Sequence, residues 1–218
     1  MTPSNIELCV IAAAVIVTLM PGSLHIRVNL WFYGVATLFI AGATALMATA
    51  HAETGLVCVA LMIAVLKAFG IPSFLSWTLR RLNVSRDRGC FIPAPLAMHT
   101  SILLLGVSFL LTEGLPLPEN GGSGHGWYGA AAGISLVFTG LMLMLTRRLA
   151  ISQVLGFLVI ENGIFVFALT QTRGMPLFVE MGVMLDVLVG VMICGVLVFK
   201  IQKSFEHIDV AQLTELRD

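Results

Sequence analysis

The chain has 218 residues, of which 58% are hydrophobic and 11% are charged, and its mean hydropathy is +0.97. A soluble domain carries roughly a quarter charged residues, so this composition excludes a soluble protein and predicts an integral membrane protein. The net charge is zero and no run is rich in lysine or arginine, which argues against nucleic acid as a partner.

Seven stretches are apolar over the roughly 20 residues that a membrane span needs. They fall at 4–21, 27–50, 55–79, 94–112, 127–146, 150–170 and 176–200. We therefore predict an all-α membrane protein with seven transmembrane helices. The first stretch has no basic residue before it and no cleavage signal after it, so we expect a retained helix rather than a signal peptide.

Basic residues concentrate at one end of these helices. With the N-terminus outside, the outer side receives only Arg173. The inner side receives Arg27, Arg80, Arg81, Arg86, Arg88, Arg147, Arg148, Lys200, Lys203 and Arg217. Because inner loops of membrane proteins carry an excess of Lys and Arg, we predict that the N-terminus is outside and the C-terminus inside.

The third stretch contains Lys67, and Pro72 follows it five residues later. Pro72 cannot donate a hydrogen bond to the carbonyl of Ala68, so we expect a helix kink and a carbonyl free to bind water. Lys67 lies 13 residues before Arg80, about 20 Å along a helix, which places it near the middle of the membrane.

Two carboxylates in later helices fall at the same predicted depth. Glu161 lies 13 residues after Arg148, and Asp186 lies 14 residues before Lys200. Glu180 precedes Asp186 by six residues, which places it about 9 Å nearer the outside. Glu180 fits either an entry port for ions or an interfacial group that packs or contacts headgroups.

Ionisable side chains inside a membrane are costly and usually pair with each other or face water. One interpretation is a static clamp, in which Lys67 pairs with a carboxylate of another helix. We favour a midplane path for protons or ions through Lys67, Glu161 and Asp186, because three unrelated charges would not be expected to share one depth. Asn162 offers an interhelical hydrogen bond beside this path, and Gly163 permits a close helix approach.

The ligands of a metal or redox site do not cluster in this sequence. Iron–sulfur clusters and structural zinc need closely spaced thiolates. The four cysteines are far apart and form no C-x-x-C, and the five histidines show no ligand spacing. We expect no metal, no cofactor and no redox centre in this chain.

The C-terminal third carries the segments "GFLVIENGIFVFAL", "LFVEMGVMLDVLVGVMICGVLVFKI" and "HIDVAQLTELRD". These resemble hydrogenase-4 component E, a membrane subunit of formate hydrogenlyase-type and related group 4 hydrogenase complexes. The last three helices also resemble the K subunit of respiratory complex I and the C subunit of multisubunit cation/proton antiporters. In that likeness Asp186, four residues before Gly190, takes the place of one K-subunit glutamate. Glu161 lies about one helical turn from the position of the other, which is Leu158 here.

The resemblance implies a non-catalytic subunit of a complex I-like membrane arm in the inner (cytoplasmic) cell membrane. Redox energy from a peripheral hydrogenase would move protons or sodium through the arm. The implied partners are other antiporter-like and complex I-like membrane subunits, a cytoplasmic hydrogenase module and the lipid bilayer. Three regions follow: a four-helix region with an external linker (1–126), a K-subunit-like three-helix region (127–203) and a cytoplasmic tail (204–218).

Two pairs of charged residues have nearly the same spacing, which relates the N-terminal part of the chain to the C-terminal part. Arg27 and Arg147 are 120 residues apart, and Lys67 and Asp186 are 119 apart, which suggests a 3+1+3 parallel pseudo-repeat. Such a plan also suits an autonomous small-solute or ion transporter, the alternative function, although no pair of broken helices marks a substrate pocket. A seven-helix photoreceptor would need a Schiff-base lysine and a carboxylate counter-ion. Lys67 and Asp186 could imitate that pair, but the lysine lies on the third predicted helix, which argues against this function.

Overall fold

The computed structural model describes residues 5–51, 54–81, 87, 92–115, 125–171 and 190, and every regular element in those ranges is helical. The elements are α1 (Asn5–Thr18), a 3₁₀ turn (Met20–Gly22), α2 (Ile26–His51), α3 (Thr54–Met62), a π-helix (Ile63–Gly70), α4 (Ile71–Arg81), α5 (Ala94–Glu113), α6 (His125–Thr146) and α7 (Ala150–Gln171). These helices belong to one compact unit, Met1–Glu180. Of the second unit, Met181–Asp218, only Gly190 is described.

Six of the predicted spans are confirmed as helices long and apolar enough to cross a membrane. They are Asn5–Gly22, Ile26–Thr49, Gly55–Arg80, Ala94–Glu113, Gly126–Thr146 and Ile151–Gln171. The third of these, called the third span below, consists of α3, the π-helix and α4 in succession. The predicted seventh span, 176–200, lies outside the described residues apart from Gly190, as do Glu180, Asp186 and the C-terminal tail.

The last two described helices, α6 and α7, form the centre of the bundle. In an apolar 18-residue window of each span, 67% of the residues of α6 and 56% of those of α7 are buried, against 17% for α5 and 28% for the third span. α6 packs on α7, α5 and α1, and α2 packs on α1, α7 and the third span. Among the described helices, the third span and α5 are therefore peripheral and turn broad apolar faces away from the others.

Glycines bring the backbones of α6 and α7 together at two levels. A methyl group at Gly133 would lie 2.9 Å from the Gly163 carbonyl oxygen, and one at Gly163 would lie 2.7 Å from the Gly133 carbonyl oxygen. Seven residues away on each helix, Gly140 and Gly156 meet in the same reciprocal way, at 2.6 and 2.8 Å. Small residues at such intervals allow membrane helices to pack backbone to backbone, which fixes the height and rotation of α7.

The third span changes its hydrogen-bond pattern around Lys67. Residues Ile63–Gly70 form a π-helix, and the N–H of Ile71 donates to the carbonyl of Leu66, five residues back. Pro72 has no N–H with which to continue that pattern, and the chain returns to an α-helix from Ile71. Where the sequence predicted a proline kink, the structure has a π-helix directly before the proline. In the π pattern, the carbonyl opposite Pro72 is that of Lys67 rather than that of Ala68.

A buried arginine joins two connections at one end of the bundle. Arg147, which follows α6 and is 2% exposed, donates from Nη2 to the carbonyl oxygens of Pro21 at 2.7 Å and Ser23 at 2.9 Å. Pro21 lies in the 3₁₀ turn that ends the first span, and Ser23 is extended, so both carbonyls are outside α-helix. Asn29 of α2 also donates to the Ser23 carbonyl, at 3.1 Å. The α1–α2 and α6–α7 connections therefore lie at the same end of the bundle.

Replacing Arg147 with glutamine is expected to lower the free energy of unfolding by about 1.5–3 kcal/mol, since hydrogen bonds to a charged donor contribute about that much. The matched control is Arg148→Gln, because Arg148 is the adjacent residue and is exposed. Thermal unfolding of the purified chain in detergent measures both. Equal loss of stability in the two variants would contradict the role given to Arg147.

Candidate functional site

Lys67, Glu161 and Asn162 meet in the interior of the bundle. Lys67 Nζ donates to Asn162 Oδ1 at 3.2 Å and lies 3.7 Å from Glu161 Oε1. The three residues are 4%, 5% and 2% exposed. The sequence predicted that Lys67 and Glu161 lie at one depth on different spans. Their side chains lie side by side, and the amide of Asn162 is next to both.

Asn162 joins this cluster to α2. Its Nδ2 donates to Thr37 Oγ1 at 3.0 Å, and Thr37 Oγ1 in turn donates to the carbonyl of Tyr33 at 2.8 Å. Thr37 and Tyr33 are both fully buried. The Asn162 amide therefore donates to α2 and accepts from the third span. It completes a chain of hydrogen bonds from the α2 backbone to the ammonium group of Lys67.

Close packing of α2 against the third span sets the position of Lys67. A methyl group at Gly34 would lie 3.1 Å from the Ala68 carbonyl oxygen and 3.8 Å from Pro72 Cγ. The absence of a side chain at Gly34 brings the π-helix against α2, one turn from Thr37. The lysine can then reach past α2 to α7, because α2 packs on both elements.

Glu161 is the less satisfied partner of the pair. Both of its carboxylate oxygens are buried, and neither accepts a hydrogen bond from the described part of the chain. At about 4 Å, two opposite charges attract by about 4 kcal/mol at an effective dielectric of 20, while desolvation costs several kcal/mol per ion. The pair is therefore a poor source of net stability.

The structure shows where the other predicted site residues lie. Gly163 contacts α6 next to the cluster, and Pro72 lies in the first turn of α4, close to Gly34. Glu180 and Asp186 lie outside the described residues, so their relation to the cluster remains a prediction. Among the residues that the structure describes, no group of three His, Cys, Asp or Glu side chains is placed to hold a metal ion.

Sequence reasoning missed two residues that are joined to the cluster by hydrogen bonds, and it did not predict that the side chain of Glu7 is buried. Thr37 contacts Asn162 directly, and Tyr33 supplies the carbonyl that orients the Thr37 hydroxyl. Glu7, in the first turn of α1, is also buried, at 4% exposed. Threonine and tyrosine are common in membrane helices, so neither residue type gives a signal of its own. Glu7 stands close to a predicted helix end, where a carboxylate is usually solvated.

Comparisons with known proteins identify relatives along most of the chain. It is 33% identical over 168 residues to the "Uncharacterized protein Rv0085" of Mycobacterium tuberculosis, covering 76% of this chain and 74% of that protein. It is 24% identical over 194 residues to hydrogenase-4 component E of Escherichia coli, covering 88% of this chain and 87% of that protein. The Shigella flexneri hydrogenase-4 component E matches to the same extent. No protein-family model and no solved structure matches the chain.

Proposed function

We propose that this chain, which belongs to the same family as the mycobacterial protein Rv0085, is a membrane-arm subunit of a hydrogenase-type complex. The distant similarity to hydrogenase-4 component E over 88% of the chain carries this proposal. The six apolar helices support a multi-pass membrane subunit. Catalysis and redox centres belong to other subunits in this proposal.

The proposed contribution of this chain is a midplane step in proton or sodium translocation. Glu161 takes up a proton or an ion, and the ammonium of Lys67 moves between Glu161 and the Asn162 amide as the charge of Glu161 changes. The distances support this exchange, since Lys67 Nζ lies 3.2 Å from the amide oxygen and 3.7 Å from the carboxylate. Asp186 and Glu180 would extend the path through the seventh predicted helix.

The remaining parts of the proposal concern topology and partners. We propose that the chain lies in the inner cell membrane with its N-terminus outside, and that its three C-terminal helices form a K-subunit-like region (127–203). We also propose a parallel 3+1+3 repeat, which requires the α1–α2 and α6–α7 connections to lie at the same end of the bundle, as they do. Antiporter-like membrane subunits and a cytoplasmic hydrogenase module are the proposed partners, and the tail (204–218) would face the latter.

Replacing Glu161 with glutamine in the intact complex tests this function. We expect the rate of ion translocation driven by donor oxidation to fall by about two orders of magnitude, the low end of what a positioned proton-transfer group contributes to a rate. The shape of the residue is kept, so the complex should still assemble. Inverted membrane vesicles, with donor oxidation and internal pH or sodium followed together, give the measurement.

The control is Glu113→Gln, which makes the same chemical change at the exposed end of α5. It should leave coupling and assembly unchanged. Unchanged translocation in the Glu161 variant would overturn the proposed path. Failure of the tagged wild-type chain to co-purify with any redox-active subunit would overturn the membership in a complex and favour an autonomous transporter.

A further inference from the structure

Two exposed arginines lie at the same end of the neighbouring helices α2 and α4, and we propose that they bind the phosphate of an anionic phospholipid. Arg27 lies in the first turn of α2, and Arg80 lies in the last turn of α4. Both are exposed, and no described residue forms an ion pair with either. The sequence singled them out only as markers of membrane orientation.

The contact between the two helices sets the height of both arginines. Gly34 of α2 lies against Ala68 and Pro72 of the third span. Arg27 is seven residues from Gly34, about 10 Å along the axis, and Arg80 is eight residues from Pro72, about 12 Å. Successive spans run in opposite directions, so the two guanidinium groups stand at nearly the same height beyond the contact.

The rotation of the helices places both arginines on the same side of the α2–α4 contact. Seven residues are almost two full turns, so Arg27 lies within about 20° of the Gly34 edge of α2, the edge that faces the third span. Arg80 is rotated about 80° from Pro72, toward the exposed side of α4, where Ser73 and Trp77 are also exposed. Both arginines therefore lie next to the contact between the two helices, on its exposed side.

A tryptophan lies one turn below each arginine, toward the membrane centre. Trp31 follows Arg27 by four residues and is 66% exposed, and Trp77 precedes Arg80 by three and is 49% exposed. Trp77 also stacks on Phe74, with ring centroids 6.1 Å apart. Tryptophan prefers the headgroup level of a bilayer. Arginine directly above it meets lipid phosphates, which guanidinium groups bind through paired hydrogen bonds.

Lipid is favoured over an acidic protein partner by this vertical order, which occurs on both helices. A protein partner would not require tryptophan and arginine to repeat in the same order along the membrane normal. Basic residues between membrane helices bind anionic headgroups in this manner. The ligand is a phospholipid whose headgroup has a net negative charge, as in phosphatidylglycerol.

Native mass spectrometry of the full chain in detergent, titrated with phosphatidylglycerol or phosphatidylcholine, tests the site. We expect preferential retention of phosphatidylglycerol, and a dissociation constant about fivefold higher in each of Arg27→Gln and Arg80→Gln, as the contribution of one basic residue near a membrane surface implies. Arg27→Lys and Arg80→Lys keep the positive charge but lose the paired donors of the guanidinium group. Their dissociation constants should lie between those of the glutamine variants and that of the wild type. Helix content by circular dichroism checks that each variant is folded.

Arg148→Gln is the control, since it removes an exposed arginine from the same membrane side but from the α6–α7 connection. Equal weakening by Arg148→Gln would overturn the site, as would wild-type binding by both glutamine variants. Displacement of the lipid by millimolar inorganic phosphate would show a simple anion site and overturn the assignment to lipid. Equal retention of the two lipids would overturn the preference for a lipid with a net negative headgroup.

Discussion

Replacing Lys67 with methionine is expected to lower the free energy of unfolding by about 3–5 kcal/mol, the usual effect of removing one partner from a buried ion pair. The substitution leaves Glu161 in the bundle interior, where neither carboxylate oxygen accepts a hydrogen bond from the described residues. It also removes the donor to Asn162 Oδ1. Unfolding by sodium dodecyl sulfate in mixed micelles, followed by tryptophan fluorescence, measures the change.

The matched control is Leu66→Met, which places the same side chain at the preceding residue of the π-helix. Leu66 is 54% exposed, so this variant should stay within about 0.5 kcal/mol of the wild type. The double variant Lys67→Met with Glu161→Met should recover most of the lost stability, because replacing a whole buried pair with apolar residues is often neutral or stabilising. If the stability lost in the double variant equalled the sum of the losses in Lys67→Met and Glu161→Met, the pairing of Lys67 with Glu161 would be contradicted.

The double variant also separates the two interpretations of the buried charges. A static clamp needs only stability, so a stable double variant should then translocate ions normally in the intact complex. A midplane path needs the ionisable groups themselves, so a stable double variant should be uncoupled. The energetic argument favours the second outcome, because an ion pair whose attraction barely offsets its desolvation has little value as a clamp.

Hydropathy was sufficient to predict the described spans, because backbone in lipid must be helical over the thickness of the bilayer. The predicted stretch 27–50 became α2, Ile26–His51, and 94–112 became α5, Ala94–Glu113. The depth of Lys67 and Glu161 was also accessible from sequence, since both could be counted from basic residues at helix ends. The structure then places their side chains 3.7 Å apart.

The local register of the third span could not be predicted in this way. Pro72 indicated an irregularity, but hydropathy does not distinguish an i→i+4 from an i→i+5 hydrogen-bond pattern. The π-helix also carries the carbonyl of Ala68 against Gly34 of α2, a contact between two helices that a hydropathy profile does not contain. Thr37 escaped notice for a related reason: its role depends on the rotation of α2 relative to α7, which no pattern within α2 determines.

A methyl group at Gly163 is expected to destabilise the chain by about 1–3 kcal/mol, as overpacking in a well-packed interior does. In Gly163→Ala the new carbon would lie 2.7 Å from the Gly133 carbonyl oxygen and 2.8 Å from the Val137 backbone nitrogen. Both are backbone atoms, so no side-chain rotation relieves the contact and the helices must separate. Gly133→Ala should act in the same way from α6, at 2.9 Å from the Gly163 carbonyl oxygen.

Gly106→Ala is the matched control, since nothing lies within 4 Å of a methyl group at Gly106 on α5. It should change the unfolding free energy, measured in mixed micelles, by less than about 0.5 kcal/mol. Because Gly163 follows Glu161 and Asn162, separation of α6 and α7 should also move these two residues relative to Lys67. Coupling in the intact complex should therefore fall in Gly163→Ala but not in Gly106→Ala. A Gly163 variant as stable as the control would mean that α6 and α7 are not held in backbone contact.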